Sequence, residues 1–335
     1  MTKPRVLVVD DSAFARMVIT KLLTASNRVE VVGRAHDGFS ALERIGELDP
    51  DVVTLDLTMP ELDGLGVLRA LAARPRPRVI VVSISGVDTE LGAEALTLGA
   101  VDLVTKPTAL ANDRLQLIGA ELVAKVIAAG TPTSAVPTSP RPSTRTSGRV
   151  EMVVLGTSTG GPQALTRLIT ALPADLGVPM AIVLHIPAGY TESLAMRLDR
   201  IAKVRVIEAF DGLVFQPGVV VLARGGEHLR VVRHGAQLVA EVSLDPPRSF
   251  SPSVDELFTS AARALGAGAL GVVLTGMGDD GLEGAKAIAK VGGSLITESP
   301  ATCVVYGMPR VVDEAGLGAL SVSLDDLAAE ITRRV

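Results

Sequence analysis

Acidic, hydroxyl and basic residues follow short apolar runs in the first third of this 335-residue chain. Asp10 and Asp11 come directly after one run, Asp56 after the next, Ser83 after a third and Lys106 after a fourth. Carboxylates that converge repel one another unless a divalent cation lies among them, and ligation by oxygen alone suits Mg²⁺. A lysine and a hydroxyl beside such carboxylates are the groups that bind a phosphoryl oxygen. The pattern therefore predicts a site that accepts a phosphate.

The apolar runs that precede these residues predict the strands of one parallel sheet. They cover residues 6–9, 52–55, 79–82 and 101–104, and stretches with helical periodicity separate them. Runs rich in β-branched residues are typical of strands that are buried on both faces. In such sheets ligands bind at the carboxyl ends of the strands. We therefore expect the five polar residues to meet at one edge of the sheet.

These residues stand in segments that resemble a two-component receiver domain, namely Val8-Val9-Asp10-Asp11-Ser12, Thr54-Leu55-Asp56-Leu57-Thr58-Met59-Pro60, the strand end at Ser83, and Thr105-Lys106-Pro107. The resemblance covers about the first third of the chain and implies a flavodoxin-like, doubly wound sheet of five parallel strands. It implies that Asp56 accepts a phosphoryl group from a histidine kinase. It also implies Mg²⁺ ligation by Asp10, Asp11 and Asp56, and contact of the phosphoryl group with Ser83 and Lys106.

A second set of polar residues follows apolar runs in the C-terminal half. Ser158 lies in the glycine-rich segment 156–161, between a strand-like run and a helical pattern, and His185 follows a later run. Asp279 and Asp280 lie in a glycine-rich turn after a further run. The serine segment alone is a weak signal, because such turns more often bind phosphate or only turn the chain. Together these residues favour nucleophilic catalysis, since a serine needs a base and the base needs an orienting carboxylate.

Two alternatives for this half are disfavoured by the order of residues. A dinucleotide-binding fold requires an acid at the end of its second strand, where this chain has His185. An α/β-hydrolase has its catalytic residues in the order serine, acid, histidine, which this chain matches only if His228 or His234 is the base. Those two histidines lie in a hairpin-like stretch and are expected to be exposed edge residues. His36, in the N-terminal third, is expected to be structural.

Four segments in the C-terminal half resemble the chemotaxis protein-glutamate methylesterase family, CheB: Gly156-Thr157-Ser158-Thr159-Gly160-Gly161, Leu184-His185-Ile186-Pro187-Ala188-Gly189-Tyr190-Thr191, Leu274-Thr275-Gly276-Met277-Gly278-Asp279-Asp280-Gly281 and Cys303-Val304-Val305-Tyr306-Gly307-Met308-Pro309. With the receiver in front, the resemblance covers essentially the whole chain and implies a doubly wound, mostly parallel α/β esterase domain. It implies that Ser158 is the nucleophile, His185 the general base and Asp280, rather than Asp279, the orienting acid. It also implies that the backbone amide of Met277 contributes to the oxyanion hole and that this domain needs no cofactor.

The implied activity is hydrolysis of glutamyl γ-methyl esters on the cytoplasmic helices of chemoreceptors, with deamidation of glutamines through the same acyl intermediate. The resemblance also implies that phosphorylation by the histidine kinase of the pathway activates the hydrolase. Two other classes remain open: a catalytically silent docking module under phosphorylation control, and a transcriptional response regulator. The latter would need a helix-turn-helix with a basic surface, for which the sequence gives no sign.

Three departures from the family patterns are visible. Leu103 stands where many receivers have an aromatic residue that rotates on phosphorylation, which argues against an aromatic switch. Arg224 interrupts an Ala-x-Gly-Gly turn, and Phe250-Ser251 replace a basic pair before Pro252. We expect the last two to affect docking or contact between domains without touching the catalytic residues.

Composition indicates two domains and a linker. We assign residues 1–129 to the receiver, 130–149 to a linker rich in proline, serine and threonine, and 150–335 to the esterase. No apolar stretch approaches the ~20 residues that span a bilayer, so membrane insertion is not expected. The single cysteine, Cys303, and the lack of an apolar N-terminal segment predict a cytoplasmic protein. A net charge of -5 and 2% aromatic residues argue against a nucleic-acid surface.

Overall fold

The computed structural model describes residues 3–72, 76–83, 89–106, 112–131 and 149–335, with side chains of the helix at 112–130 described from Ile118 onward. The chain divides into two compact units, Met1–Pro132 and Thr133–Val335. The boundary between the units, and most of the predicted linker at 130–149, lies outside the described residues. The predicted domain limits therefore stay predictions.

The first unit contains one five-stranded parallel sheet with helices between successive strands. Its strands are β1 (Arg5–Val9), β2 (Glu30–Ala35), β3 (Val52–Leu55), β4 (Arg78–Ser83) and β5 (Asp102–Thr105). Its helices are α1 (Ala13–Ala25), α2 (Gly38–Leu48), α3 (Gly64–Leu71), α4 (Thr89–Thr97) and α5 (Asn112–Gly130). The strand order is β2-β1-β3-β4-β5, so the direction of winding changes between β1 and β3, where doubly wound sheets bind ligands.

Burial and helix caps fix the carboxyl ends of β1 and β3. All four residues of β3, and every residue of β1 except Arg5, are buried, as expected of parallel strands joined by helices. Ser12 caps α1 by accepting the N–H of Ala15, and Asp63 caps α3 by accepting the N–H of Gly66. The polar residues between these strands and helices are therefore held at defined positions.

The second unit contains a seven-stranded parallel sheet and a separate antiparallel hairpin. Its strands are β6 (Met152–Thr157), β7 (Met180–Leu184), β8 (Arg205–Glu208), β9 (Val219–Leu222), β10 (His228–His234), β11 (Gln237–Ser243), β12 (Ala269–Val273), β13 (Ser294–Glu298) and β14 (Leu320–Val322). Its helices are α6 (Gly161–Ala171), α7 (Thr191–Ile201), α8 (Val254–Leu265), α9 (Leu282–Lys290), α10 (Met308–Glu314) and α11 (Leu324–Arg334).

The strand order of the large sheet is β14-β13-β12-β6-β7-β9-β8, and β10 and β11 form the hairpin. Strand β6 lies between β7, the next strand in the chain, and β12, which follows much later. The direction of winding therefore changes beside β6, and the loops after β6, β7 and β12 meet at one edge. The predicted α/β class with two doubly wound parallel sheets is confirmed.

Among the described residues, no helix combines the length and the apolar character that crossing a membrane requires.

Candidate active site and phosphoacceptor site

The carboxylates that we predicted to bind a cation meet at the carboxyl edge of the first sheet. Asp10 and Asp11 follow β1, Asp56 follows β3, and a ligand oxygen from each lies within 4.8 Å of the other two. Asp10 and Asp56 are buried, whereas Asp11 is exposed to solvent. Three carboxylate oxygens at this spacing fit a hard divalent cation such as Mg²⁺.

Lys106 brings positive charge to the same edge. Its Nζ lies 2.8 Å from Asp10 Oδ2 and 2.7 Å from Asp56 Oδ2. Burial alone would lower the pKa of Lys106, but its contacts with the two carboxylates raise it above the ordinary value. Burial raises the pKa of Asp56 despite the opposing effect of Lys106. The ammonium group of Lys106 thus lies against Asp56, the carboxylate that is predicted to receive the phosphoryl group.

Ser83 ends β4 and is fully buried, and its carbonyl accepts a 2.6 Å hydrogen bond from the N–H of Lys106. The predicted phosphoryl-binding pair therefore lies on adjacent strand ends.

Leu103 is fully buried in β5. Pro107, the last residue of the segment Thr105-Lys106-Pro107, lies outside the described residues.

In the second sheet, Ser158 and His185 follow neighbouring strands. The N–H of Ser158 donates to the carbonyl of Thr275, which follows β12, and the N–H of His185 donates to the carbonyl of Thr157. Since adjacent strands are about 4.8 Å apart, these hydrogen bonds place the backbones of Ser158 and His185 side by side. Ser158 is 7% exposed, so it is a nearly enclosed hydroxyl at the rim of the sheet.

Glycines allow the tight path of the chain around Ser158. Gly160 has a φ of +85°, in the left-handed region that favours glycine, and helix α6 begins at the next residue. Gly276, after β12, lies so close to Ser158 that a Cβ added to Gly276 would be 2.9 Å from Ser158 Cβ. The serine therefore lies between the N-terminal end of α6, which favours negative charge, and the loop that contains Met277.

The Met277 loop is held from two sides. The carbonyl of Gly276 accepts hydrogen bonds from the N–H groups of Gly307 and Met308, at the start of α10. The N–H of Thr275 donates to Oε2 of the buried Glu298 at 2.8 Å, and Thr275 Oγ1 donates to the carbonyl of Thr159. These bonds tie the loop to the turn after Ser158. The predicted oxyanion role of the Met277 amide stays a prediction.

His185 and Asp280 are in direct contact. His185 Nε2 lies 2.8 Å from Asp280 Oδ2, and the two side chains are 7% and 8% exposed. Nδ1 of His185 is buried and has no hydrogen-bond partner among the described residues. In the tautomer that donates Nε2–H to the carboxylate, Nδ1 has the lone pair. This nitrogen can accept a proton from a hydroxyl brought within reach.

The start of α8 surrounds Asp280. Ser253 Oγ donates to Asp280 Oδ1 at 2.9 Å, and the N–H groups of Val254 and Asp255 donate to the same carboxylate at 2.7 and 3.1 Å. Burial alone would raise the pKa of Asp280, but the contacts with His185 and with these N–H groups lower it below the ordinary value. Asp280 is thus held as a carboxylate in one orientation, whereas its neighbour Asp279 is exposed.

Asp255 makes the reciprocal contact with α9. Its Oδ1 accepts hydrogen bonds from the N–H groups of Gly281 and Gly284 at 2.9 and 2.7 Å. Burial and the charge of Asp280 raise the pKa of Asp255. Asp280 thus binds the first turn of α8, and Asp255 binds the first turn of α9. These reciprocal contacts hold Asp280 in a fixed position.

His228 is fully buried, so the prediction of an exposed edge residue is wrong. The N–H of Ser253 donates to His228 Nδ1 at 3.2 Å, and Nε2 lies 2.9 Å from the carbonyl oxygen of Pro246. Burial lowers the pKa of His228, which favours the neutral ring that these two bonds require. The prediction fails because α8 packs on β10, which the pattern of β10 alone does not reveal. His234, at the end of β10, is exposed as predicted.

Phe250 stacks on His185, with ring centroids 4.2 Å apart and planes inclined by 3°. We expected that the departure at Phe250-Ser251 would not touch the predicted catalytic residues, and for Phe250 this expectation is wrong. A lone phenylalanine in an irregular segment gives no sequence signal for such a contact. The sequence analysis did not assign Ser253 to the site either. Ser253 does have a sequence signal, because serine followed by Glu256 three residues later is typical of a helix start.

Two further residues can be placed. Arg224 lines a pocket of about 430 Å³ together with Glu208 and Glu227, and its side chain lies 3.4 Å from Glu208 Oε2. Cys303 is 4% exposed, and burial raises the pKa of its thiol above the ordinary value. A buried thiol with a raised pKa is a poor nucleophile, so Cys303 fills space as a small buried residue.

The two units define a class of protein in which an α/β domain with three carboxylates and a lysine at its sheet edge precedes an α/β domain with serine, histidine and aspartate at one sheet edge. The family model described as "Response regulator receiver domain" matches residues 6–116, and that described as "CheB methylesterase" matches residues 153–331. The chain therefore belongs to the CheB methylesterase family and has a receiver domain, which confirms the resemblance seen in its sequence.

Individual relatives agree with this assignment. The chain is 55% identical over 340 residues to protein-glutamate methylesterase/protein-glutamine glutaminase 5 of Myxococcus xanthus, covering 99% of this chain and 98% of that protein. It is 43% identical to the protein-glutamate methylesterase/protein-glutamine glutaminase of Symbiobacterium thermophilum, covering 99% and 97%. The crystal structure of the Thermotoga maritima CheB methylesterase catalytic domain matches with a TM-score of 0.54 and 36% identity, covering 56% of this chain and all of that one.

Proposed function

We propose that this protein hydrolyses glutamyl γ-methyl esters of chemoreceptors, deamidates their glutamines, and is activated by phosphorylation of its receiver domain. The main support is the arrangement of His185: one ring nitrogen contacts Asp280, the other is buried and has no hydrogen-bond partner in the part of the chain that the structure describes, and the His185 backbone lies beside the strand end of Ser158. The names of the two full-length relatives agree with this substrate class.

In the proposed mechanism Ser158 is the nucleophile. Its Oγ attacks the side-chain carbonyl carbon of the ester while His185 Nδ1 accepts the hydroxyl proton. The tetrahedral intermediate then breaks its bond to the methoxy oxygen, which takes the proton from His185 and leaves as methanol. Water attacks the acyl-enzyme by the same route and regenerates Ser158 with a glutamate product. With a glutamine substrate, ammonia is the leaving group.

Charge develops at two places during these steps. Asp280 stabilises the imidazolium of His185, and its own hydrogen bonds keep it ionised and correctly oriented. The oxyanion forms beside the loop after β12, where the Met277 N–H and the N-terminal end of α6 stabilise negative charge. Because these groups are fixed before substrate binds, they need little reorganisation during the reaction.

In the receiver, an Asp56 oxygen attacks the phosphorus of a phosphohistidine on a histidine kinase, the P–N bond breaks, and the kinase histidine leaves as the neutral imidazole once it has taken up a proton. Lys106, held against Asp10 and Asp56, pairs with the transferred group, and Ser83 is placed to bond it. Mg²⁺ bound by Asp10, Asp11 and Asp56 would neutralise the charge of the phosphoryl oxygens. The added charge of about -1.5 to -2 at Asp56 is the signal that relieves inhibition of the esterase.

Replacing Asp56 with asparagine is expected to abolish phosphoryl uptake, because the amide is not a nucleophile. Uptake from a radiolabelled small phosphodonor and methanol release with and without the donor would be measured on the full-length protein. We expect basal methanol release to persist and its stimulation by the donor to disappear. Asp175→Asn, at an exposed acid in the second unit, is the matched control. Normal stimulation of the Asp56→Asn protein would contradict the role of Asp56.

Cutting the chain at Ser139, in the predicted linker, tests whether the unphosphorylated receiver inhibits the esterase. A specific protease site inserted there should raise methanol release on cleavage, because the receiver is then no longer tethered to the esterase. The control protein has the same site appended after Val335, where cleavage should have no effect. Cleavage at Ser139 that leaves the activity no higher than that of the uncut, unphosphorylated protein would contradict autoinhibition.

A further inference from the structure

One face of the His185 ring is covered by a residue outside the proposed catalytic set. The Phe250 ring lies parallel to the imidazole at a centroid distance of 4.2 Å. Phe250 comes from the segment between β11 and α8, which is anchored at the site. The next residue, Ser251, accepts a hydrogen bond from the N–H of Gly226, and Ser253 donates to Asp280. The position of the Phe250 ring is thus coupled to that of the carboxylate.

We propose that Phe250 is a positioning residue for His185, which fixes the plane of the imidazole and stabilises the imidazolium that forms when Ser158 loses its proton. This inference rests on the proposed hydrolase function and adds to it a residue that neither the family patterns nor the spacing of the polar residues indicated. Phe250 contacts the ring of the proposed base, so it acts through His185.

The orientation of the His185 ring depends on few hydrogen bonds. Nε2 is held by Asp280, but Nδ1 has no partner among the described residues, so one hydrogen bond must orient the ring. A single hydrogen bond tolerates tilting of the ring plane, and a small tilt moves Nδ1 away from the serine. A parallel aromatic ring in contact with one face prevents tilting toward that side. Phe250 therefore supplies a restraint that Asp280 does not.

The charge of the His185 ring changes during the proposed reaction. The face of a phenyl ring has negative potential and attracts a cation within about 6 Å of its centroid. The neutral imidazole gains little from this, whereas the imidazolium formed in the transition state gains more. An interaction that strengthens in the transition state raises kcat and leaves KM nearly unchanged. The partly buried Phe250 also excludes water from that face of His185.

The test compares Phe250→Leu, which keeps apolar bulk but lacks an aromatic face, with Phe250→Tyr, which keeps the face. In the full-length, donor-activated protein we expect Phe250→Leu to lower kcat about 5- to 30-fold, with KM unchanged. Phe250→Tyr should retain kcat near that of the wild type. Phe210→Leu, at a phenylalanine that is 59% exposed elsewhere in the unit, is the matched control and should change neither constant.

A second readout does not depend on activity. The Cε1–H resonance of His185, assigned by its loss in His185→Gln, should lie upfield in the wild type because of the Phe250 ring current. It should move downfield in Phe250→Leu and return in Phe250→Tyr. A resonance that Phe250→Leu does not move would overturn the stacking, and so the proposal.

The kinetic outcomes separate this inference from the proposed function. If the wild type releases methanol and Phe250→Leu does so with the wild-type kcat, the positioning role is refuted while the hydrolase function stands. If Phe250→Leu changes KM alone, or if Phe250→Tyr fails to restore kcat, Phe250 does not act through its aromatic face. If the wild type releases no methanol from methylated receptors, the proposed function fails, and this inference fails with it.

Discussion

Ser158→Ala is expected to lower the rate of methanol release by about 10⁴-fold or more. The side chain of alanine offers no oxygen to attack the ester, and no other hydroxyl is assigned to receive the acyl group. The remaining rate would come from oriented water and from the groups that stabilise the oxyanion. The measurement is the release of labelled methanol from methylated receptor membranes, with the protein activated by a phosphodonor.

Two controls make this result specific to the nucleophile. Ser193→Ala, in α7, removes a hydroxyl elsewhere in the same unit and should leave the rate unchanged. Uptake of the phosphoryl group at Asp56 should be normal in both variants, which shows that the receiver is folded. A serine-directed phosphonate should label the wild type but not Ser158→Ala. Near-normal methanol release by Ser158→Ala would refute the mechanism, and an unlabelled, inactive wild type would favour a silent docking module.

The positions of the strand-end residues could be predicted from the sequence because two local rules determine them. Apolar β-branched runs between helical stretches indicate parallel strands, and the residue after each run must lie at the carboxyl edge. Asp56 and Ser158 were placed correctly in this way, and so was His185. The pattern does not give the strand order, however, which depends on how helices pack on each face. The pattern therefore predicts that these residues lie along one edge, whereas their individual roles were assigned from the resemblance to known families.

The residues that surround Asp280 illustrate what the sequence could not reveal. Ser253 and Asp255 act through contacts between the starts of α8 and α9, two helices whose proximity is a property of the tertiary fold. His228 is buried because α8 covers β10, and Phe250 contacts His185 from an irregular segment with no periodicity. In each case the residue type fits the contact, but the partner is far away in the chain. Local patterns contain no information about such pairs.

Asp279 and Asp280 are adjacent acids that differ in burial, which supports the prediction that Asp280 is the orienting acid. Both stand in one glycine-rich turn, and the sequence alone separates them only by family resemblance. In the structure Asp280 is 8% exposed and receives hydrogen bonds from Ser253 and the start of α8, whereas Asp279 is exposed. A carboxylate that orients a base must be fixed and shielded from water, and Asp280 alone of the two meets this condition.

Asp280→Asn is therefore expected to lower the rate of methanol release by about 10⁴-fold. An asparagine amide that donates to His185 Nε2 would force the imidazole proton onto Nδ1, the nitrogen that must accept the proton of Ser158. The amide would also lack the charge that stabilises the imidazolium, and its NH₂ group, at the position of Oδ2, would face the N–H donor of Val254 and disrupt the start of α8. Both the rate and the thermal unfolding midpoint should fall.

Asp279→Asn is the matched control for this prediction, because it makes the same chemical change one residue earlier. The hydrogen bond from the N–H of Leu282 to the Asp279 carbonyl uses the backbone and survives the substitution. Asp279→Asn should keep the wild-type rate and unfolding midpoint. Labelling of Ser158 by the phosphonate should be slow in Asp280→Asn and normal in Asp279→Asn, since activation of the hydroxyl depends on the tautomer of His185. The opposite pattern, with Asp279→Asn inactive and Asp280→Asn active, would assign the orienting role to Asp279 and contradict the geometry of the site.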